Sequence, residues 1–409
     1  MNAVLHRRQW IQSFTAAGLS TSLGRMVAGE TLTGRDPDPP YRRCMTLWMQ
    51  GGPSQLDTFD PKPGTESAGP FQAVPTNVPG IQFCQTLPRL ATRADQMALL
   101  RCVGSNQGEH ERATHLMHTG FERIASFPRP SLGSFVSHLR RQSTLPGFVT
   151  LGDQVFGPAF LGSQHGPFVI GDVDRVRETL RRVQRHRDRL DLIGDLNRHS
   201  AASLSGVSVR QRADEIDSIR RLIESPFATA LDLEQENHKT RERYGDSQFG
   251  RRVLAGRRLL ESGVKYVEVQ MPGWDTHVDN FPAVNRLCQQ LEPAMIALMD
   301  DLMANGLWND TLILWMGEFG RTPRVNGGRG RDHFPQSIPV VMAGHGFGGR
   351  VIGSTGPEGR DVGESRSVAD LMYTLMVCMG IDAESEWTTA FGSPTTATEG
   401  GGLIEGVLG

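Results

Sequence analysis

The sequence predicts a doubly wound, mostly parallel α/β sheet that a helical insertion interrupts near the middle of the chain. Two observations support this fold class. Short and nearly unbroken apolar segments are typical of strands that are covered on both faces, as in parallel sheets. Segments with apolar residues at every third or fourth position separate them, and this alternation of strand and helix is typical of doubly wound sheets. A chain of 409 residues is long enough for one such domain with insertions.

The elements of this sheet follow from the positions of the apolar residues. The predicted strands are 45–49, 97–102, 266–271, 311–316 and 338–342. The predicted helices, each followed by a glycine that can end it, are 248–262, 280–305 and 368–379.

The middle of the chain has a different composition. Segments 172–198 and 209–244 are rich in charged residues, have a helical period and contain no convincing strand. We interpret about 172–245 as a helical insertion in a single domain that runs from 40 to 409. The formal net charge of −2 gives no long-range attraction to nucleic acid, which is therefore not an expected partner.

The N-terminal segment 1–30 resembles a twin-arginine export signal. Arg7 and Arg8 precede a short, weakly apolar stretch that is too short and too polar to span a bilayer stably. This pattern predicts recognition by the twin-arginine export machinery and a periplasmic or secreted location, with no stable membrane span. An ordinary amphipathic N-terminal helix is the alternative. The five scattered cysteines contain no CxxC pair, which favours buried thiols over a disulfide framework or a structural zinc site, with a single bridge between Cys44 and Cys102 as the alternative.

Ligands of open α/β sheets bind beyond the carboxyl ends of the strands, so the residues just after each strand are the candidates for a site. After strand 45–49 comes a Gly-Gly-Pro turn from which Ser54 or Asp57 could reach a ligand. A purely structural tight turn explains the same residues. After strand 97–102, the segment 105–115 leads into a helix whose free N–H groups could bind an anion, with His110 or Thr114 as nucleophile or acid/base.

Three further segments bring acidic and imidazole side chains to the same region. Asp275 and His277 stand two residues apart in an extended segment and so point the same way, which suits two ligands of one metal. Glu318 follows the strand Thr311–Met316, and Arg321 could bind an anion. Several carboxylates crowded together need a cation, because like charges repel and each loses hydration on burial. The sequence therefore predicts a metal site formed by three segments. These segments contain Asp275 with His277, Glu318 with Arg321, and Asp332 with His333.

Several motifs together resemble a family called domain of unknown function fifteen-oh-one. They are the twin-arginine leader, GGPSQLDTFDPKPG (51–64), WDTH (274–277), GEFGRTP (317–323) and GRDHF (330–334). The resemblance runs from about residue 40 to the C-terminus. It implies a fold similar to that of the alkaline phosphatase and sulfatase superfamily, whose members use bound metals and a nucleophile at a helix start to cleave phosphate or sulfate esters.

The resemblance also implies roles for individual residues. Asp275 and His277 correspond to the first ligand cluster and His333 to a late histidine ligand. Glu318 stands where the superfamily has Asp, and Phe319 replaces the His that usually comes next.

The chain departs from the superfamily at two other points. No Cys/Ser-x-Pro-x-Arg motif precedes Thr119, and His110 lies about where the nucleophile would be. Gln50 stands where an Asp ligand is expected, and Asp57 is the substitute carboxylate.

These observations lead to three hypotheses. The first is an exported hydrolase that uses a divalent metal (zinc, calcium, manganese or magnesium) to cleave a sulfate or phosphate ester of a small molecule or a polysaccharide. In it Arg321 neutralises the anion, and Ser54 and Asp332 bind substrate. The second is a non-catalytic, sulfatase-like protein that binds a glycan or a protein partner, which the missing nucleophile favours. In the third, the acidic and histidine clusters only hold loops together.

Overall fold

The computed structural model describes residues 39–140, 144–153, 156–189, 191–195, 219–389 and 392–408. Its centre is an eight-stranded sheet. The strands are β1 (Arg43–Gln50), β2 (Met97–Leu100), β3 (Phe148–Leu151), β4 (Phe168–Val169), β5 (Tyr266–Pro272), β6 (Thr311–Met316), β7 (Val340–Ala343) and β8 (Arg350–Ile352). The predicted export segment 1–30 lies outside the described residues.

The order of the strands is β8-β2-β7-β6-β1-β5-β3-β4. β7 is antiparallel to both of its neighbours, and the other strand pairs of the sheet are parallel. The carboxyl ends of β5, β1 and β6, three adjacent parallel strands, therefore lie side by side at one edge. The prediction of a mostly parallel α/β sheet is confirmed.

Helices cover both faces of the sheet. They are α1 (His110–Thr119), α2 (Leu132–Arg140), α3 (Val173–Arg185), α4 (Pro226–Ala230), α5 (His238–Tyr244), α6 (Gln248–Ser262), α7 (Asn280–Ala304) and α8 (Val368–Cys378). Successive side chains of a strand point to opposite faces, and β1 illustrates the result. Met45, Leu47 and Met49 pack with the core that contains α6 and α7, whereas Trp48 packs with the core of α1, α2 and α8.

Most of the predicted elements are present, with boundaries shifted by a few residues. The predicted strand 338–342 is β7, and the predicted strand 97–102 is shortened to β2, which ends at Leu100. β3, β4 and α2 were not predicted from the sequence. In the described part of 172–245 the chain forms α3, α4 and α5. All five cysteines are buried and unpaired, as expected. None of the described helices is long and apolar enough to cross a membrane.

Among the described residues, four short strand pairs lie outside the central sheet. They are Ala73–Pro75 with Gln82–Cys84, Val103–Gly104 with Arg366–Ser367, Gly320–Arg321 with His333–Phe334, and Glu386–Thr388 with Pro394–Thr396. The third pair matters for the site, because it holds His333 beside the segment that comes after β6.

A buried polar pair joins α1 to β5 inside the otherwise apolar core. Glu268 occupies the middle of β5, and its Oε2 lies 3.1 Å from Nε2 of His118 on α1, with 2% and 3% of the two side chains exposed. Nδ1 of His118 donates to the carbonyl of Thr114 (2.8 Å), and Gln270 donates to the other oxygen of Glu268. The sequence predicts an apolar strand at 266–271 and either a packing or a surface position for His118. In the structure the His118 side chain is buried and contacts Glu268.

Removal of one member of this pair is expected to destabilise the fold strongly. His118→Ala leaves Glu268 buried without its partner, and we expect a loss of about 3–5 kcal/mol in the free energy of unfolding. Glu268→Gln should lose only about 1 kcal/mol or less, because the amide can accept from Gln270 and donate to Nε2 of His118. Urea denaturation measures both, with His238→Ala at an exposed histidine as control. Equal losses for the two variants would contradict a buried, hydrogen-bonded ion pair.

Candidate metal centre

The site lies at the carboxyl ends of β5, β1 and β6, where three loops pack closely. Gly51 comes after β1 with a φ of 114°, and a Cβ at this position would lie 2.4 Å from the backbone nitrogen of Asp275. Only glycine allows this approach. The N–H of Gly51 also donates to Oε1 of Glu318 (2.8 Å), which comes after β6. The loops that bear the predicted site residues are thereby brought into direct contact.

Three side chains converge on one point at this edge. Nε2 of His277 lies 2.9 Å from Nε2 of His333, and Oδ1 of Asp275 lies 3.1 Å from the first and 3.4 Å from the second. The three side chains are partly open to solvent, with 41%, 22% and 46% exposed for His277, His333 and Asp275. The structure thus brings together three of the predicted metal ligands.

The hydrogen bonds on the far side of each ring determine which nitrogen has the proton. Nδ1 of His277 faces Oδ1 of Asp332 (2.9 Å), and Nδ1 of His333 faces the carbonyl of Gly108 (2.7 Å). Both partners are acceptors, so each ring donates through Nδ1, and in the neutral form of each ring Nε2 keeps a lone pair. Three acceptor atoms then face one another within 3.4 Å, and a proton or a metal ion between them would offset their repulsion.

A metal ion fits this position. The edge of a tetrahedral site with metal–nitrogen bonds of 2.0–2.1 Å is about 3.3 Å, close to the three distances found here. Histidines that bind metals usually donate their other ring N–H to a carboxylate or a backbone carbonyl, as His277 and His333 do. Asp332, predicted to bind substrate, instead holds the ring of His277, and this contact lowers the pKa of the Asp332 carboxyl.

His110 and Glu318 form a second unit beside this cluster. Nδ1 of His110 lies 2.8 Å from Oε1 of Glu318, and its Nε2 lies 3.4 Å from Oδ2 of Asp275. The hydrogen bond to Glu318 raises the pKa of His110. Ligand atoms of His110, Asp275 and His333 all lie within 4.8 Å of one another, so His110 is a further candidate ligand. Glu318 is joined to the cluster through His110, not directly.

One oxygen of Glu318 is left without a hydrogen-bond partner. The residue is 1% exposed, and Oε2 has no donor within reach among the described residues. An unpaired buried carboxylate oxygen is unfavourable unless a proton or a cation compensates it. This oxygen is a second indication that a positive charge belongs at the site.

The start of α1 differs from the expected anion site. The Glu109 carboxylate accepts hydrogen bonds from the backbone N–H groups of Glu111 and Arg112, both at 3.0 Å. These bonds lower the pKa of Glu109 and occupy the N–H groups that an anion would have used. Thr114, a predicted catalytic residue, is one turn further along and 2% exposed, so substrate cannot reach its hydroxyl.

Arg321 is fully buried, contrary to the expectation that it meets a substrate anion. Its guanidinium donates to the carbonyls of Gly51, Gly52 and Arg331 and to Oδ1 of Asp275 (2.6 Å). Partial burial opposes ionisation of Asp275, but the hydrogen bond from Arg321, together with the charges of Arg321 and the neighbouring histidines, outweighs burial and lowers the pKa of the carboxyl. Arg321 therefore orients Asp275 and keeps it charged.

Ser54 and Asp57 lie in the interior, not at the cluster. Both carboxylate oxygens of Asp57 accept from the guanidinium of Arg331 (2.8 and 3.1 Å), and one also accepts from Asn280. The hydroxyl of Ser54 accepts from the N–H of Asp57, and both residues are at most 1% exposed. Asp57 is thus the partner of the buried Arg331 guanidinium. Contrary to the predictions, Asp57 is not placed to bind the metal, and Ser54 is not placed to bind substrate.

Four residues that shape the site were not predicted from the sequence. Glu109 caps α1, Arg331 binds Asp57, and Asn326 bonds to both Asp332 and the carbonyl of His277. Phe319, noted only as a departure from the superfamily, is fully buried with its ring 4.2 Å from that of His333. Arg331 stands between a glycine and an acidic residue, a context typical of an exposed loop. The sequence alone therefore did not indicate that Arg331 is buried.

Comparison with known proteins places the chain in a family. The sequence profile described as "Protein of unknown function (DUF1501)" matches residues 41–408. The comparison with curated proteins gives no match.

Solved structures similar to this chain include a protein of the alkaline phosphatase superfamily from Vibrio parahaemolyticus. It is 12% identical, with 86% of this chain and 69% of that chain covered and a TM-score of 0.38. The PsFucS1 sulfatase from Pseudoalteromonas sp. is 13% identical, with 87% and 72% covered and a TM-score of 0.44. A phosphonate monoester hydrolase of Agrobacterium radiobacter is 12% identical, with 84% and 74% covered and a TM-score of 0.34.

The pairing of Asp57 with Arg331 predicts a structural role for this carboxylate. Asp57→Ala leaves a fully buried guanidinium unpaired, and we expect the free energy of unfolding to fall by about 3–5 kcal/mol. Glu66→Ala removes an exposed carboxylate from the same loop and should change stability by no more than about 0.5 kcal/mol. Chemical denaturation compares the two, and a loss below about 1 kcal/mol for Asp57→Ala would rule out this role.

Proposed function

The chain belongs to the DUF1501 family, and we propose that it is an exported, metal-dependent hydrolase of sulfate or phosphate esters. The substrate is a small anionic ester or an ester group on a polysaccharide. Export follows from the twin-arginine leader, and the ester class follows from the resemblance of the motifs to the alkaline phosphatase and sulfatase superfamily.

The observation that supports this proposal is the convergence of the lone pairs of Asp275, His277 and His333. The tautomers of the two rings are fixed by Asp332 and by the Gly108 carbonyl, so neither ring can turn its N–H toward the other without losing a hydrogen bond. Such an arrangement is unfavourable without a cation and favourable with one.

The donor set limits the identity of the metal. Asp275, His277 and His333 would hold the ion, and Nε2 of His110 stays outside the ligand set. Two imidazoles and one carboxylate suit zinc or manganese better than calcium or magnesium, which prefer oxygen ligands. A divalent ion bound there would offset the negative charge that develops on the ester oxygens during cleavage.

Residues of the chain supply orientation and proton transfer. His110 donates through Nδ1 to Glu318, which leaves Nε2 free to accept a proton from an attacking water or to return it to the leaving group. With 38% of the side chain exposed, His110 is open to substrate. Arg321 holds Asp275 in place from the buried side.

A non-catalytic binding protein is the second candidate. Glu109 caps the start of α1, and the next residue is His110 and not a serine, threonine or cysteine. Phe319 fills the place of the histidine that the superfamily has after its acidic ligand. A chain that binds the metal and anionic ligands without turning them over would fit these two observations.

Metal content and turnover together test the proposal. Purified without chelator, the wild-type chain should contain close to one equivalent of zinc or manganese by elemental analysis. Asp275→Asn removes one ligand charge and should lower metal affinity at least about tenfold and abolish hydrolysis of p-nitrophenyl sulfate or phosphate by the metal-loaded chain.

Asp279→Asn is the matched control for this experiment. The same chemical change falls four residues away at an exposed position with a φ of 46°, which asparagine also tolerates. This variant should keep its metal and its activity. Metal-loaded wild type that binds anions but turns over neither ester supports the binding protein. Wild type that binds no metal would refute the metal-dependent hydrolase, and anion binding by that metal-free chain would still support the binding protein.

A further inference from the structure

The loop 325–330 beside His277 contains a strained residue. Arg329 has a φ of 58°, in the left-handed region that side chains with a Cβ disfavour. Its neighbours on both sides, Gly328 and Gly330, are glycines. A glycine at position 329 would adopt the same conformation without strain.

The surroundings fix this conformation. The N–H of Arg329 donates to the carbonyl of Asn326, and its own carbonyl accepts from the N–H of Asn280, both at 3.1 Å. Gly330 packs so closely that a Cβ there would lie 1.8 Å from the carbonyl oxygen of His277. The loop cannot relax away from His277, and the strain at Arg329 persists.

The side chain of Arg329 has no polar partner in the described part of the chain. It is exposed, and its guanidinium forms no ion pair or hydrogen bond with a described residue. By contrast, the guanidinium groups of Arg321 and Arg331 each contact several partners. A glycine at position 329 would keep the same backbone hydrogen bonds without strain, so these bonds do not need the arginine side chain, and its presence at this position points to an interaction with another molecule.

We propose that Arg329 determines substrate specificity by binding a second anionic group of the substrate, separate from the ester that is cleaved. This inference rests on the proposed function and narrows its substrate to a polyanion, such as a polysaccharide with repeated sulfate groups. Arg329 forms a β-bridge with Val278, the residue after His277, and so lies at the rim of the cluster.

The chemistry of the rim supports this substrate class. A guanidinium binds sulfate, phosphate or carboxylate oxygens through two parallel hydrogen bonds. Val278 beside it is 66% exposed and offers an apolar surface for the carbon face of a sugar ring. A cation and an apolar side chain together suit an anionic sugar better than an isolated inorganic anion.

Binding to dextran sulfate tests the inference, with uncharged dextran as the reference polymer. Arg329→Ala in the full, metal-loaded chain should weaken binding about fivefold to tenfold, and Arg329→Lys should weaken it less, because lysine keeps the charge but not the fork. Arg324→Ala is the matched control. It removes an exposed arginine from the same segment, also without a partner among the described residues, and should change the affinity by less than about twofold.

Thermal unfolding gives a second, independent measurement. Arg329→Gly should lose affinity as Arg329→Ala does, yet melt about 1 °C higher than the wild type, because glycine adopts this φ without strain. A clear drop in melting temperature for Arg329→Gly would mean that the arginine stabilises the chain itself, and would overturn the inference.

The dextran sulfate binding test can succeed or fail independently of the hydrolysis test, because binding needs no turnover. A chain that hydrolyses no ester but binds dextran sulfate through Arg329 refutes the hydrolase and keeps the anion subsite. Equal affinities of wild type and Arg329→Ala, or no binding by wild type, overturn the subsite whatever the hydrolysis assay gives.

Discussion

Two buried arginines hold the loops of this site in place. Arg321 donates to the carbonyls of Gly51, Gly52 and Arg331, and Arg331 donates to those of Ser67, Thr322 and Pro323. Loop backbones that are withdrawn from water must find hydrogen-bond partners, and a guanidinium offers five donors in a rigid plane. Each buried charge is in turn balanced by one carboxylate, Asp275 or Asp57. The rest of the site depends on these two groups.

The distribution of donors and acceptors results from this arrangement. At the periphery, arginine, glycine N–H and asparagine donors satisfy the loop carbonyls and carboxylates. At the centre, Asp275, His277 and His333 present only acceptors, because the N–H of each of the two rings is used on the far side. The neutral rings and the Asp275 carboxylate thus direct their lone pairs toward a common, solvent-accessible point at an edge of the sheet where adjacent strand ends meet.

Features that depend on local pattern were predictable from the sequence. Short apolar runs identified the main strands, and the position of Asp275 and His277 after β5, with His333 downstream, identified the cluster. Residues whose role depends on distant partners were not predictable. Asp57 has the same local appearance as a ligand, and only the fold places it opposite Arg331 rather than at the rim. Glu268 lies in a strand predicted to be apolar. Its buried role could not be predicted because its partner, His118, is 150 residues away in the chain.

Asn326 connects the strained loop at the rim to the candidate metal ligands. Its amide nitrogen donates to the carbonyl of His277 (3.1 Å) and to Oδ1 of Asp332 (3.0 Å), and its oxygen accepts from the N–H groups of Gly328 and Gly330 (3.0 and 2.9 Å). All the hydrogen-bonding capacity of one side chain is thus used between this loop and the ring that would hold the metal. Because the same carboxylate oxygen of Asp332 also binds Nδ1 of His277, a ligand that displaced this loop would change the hydrogen bond that fixes the histidine tautomer. The position of the loop and the readiness of His277 to bind a cation are therefore physically coupled.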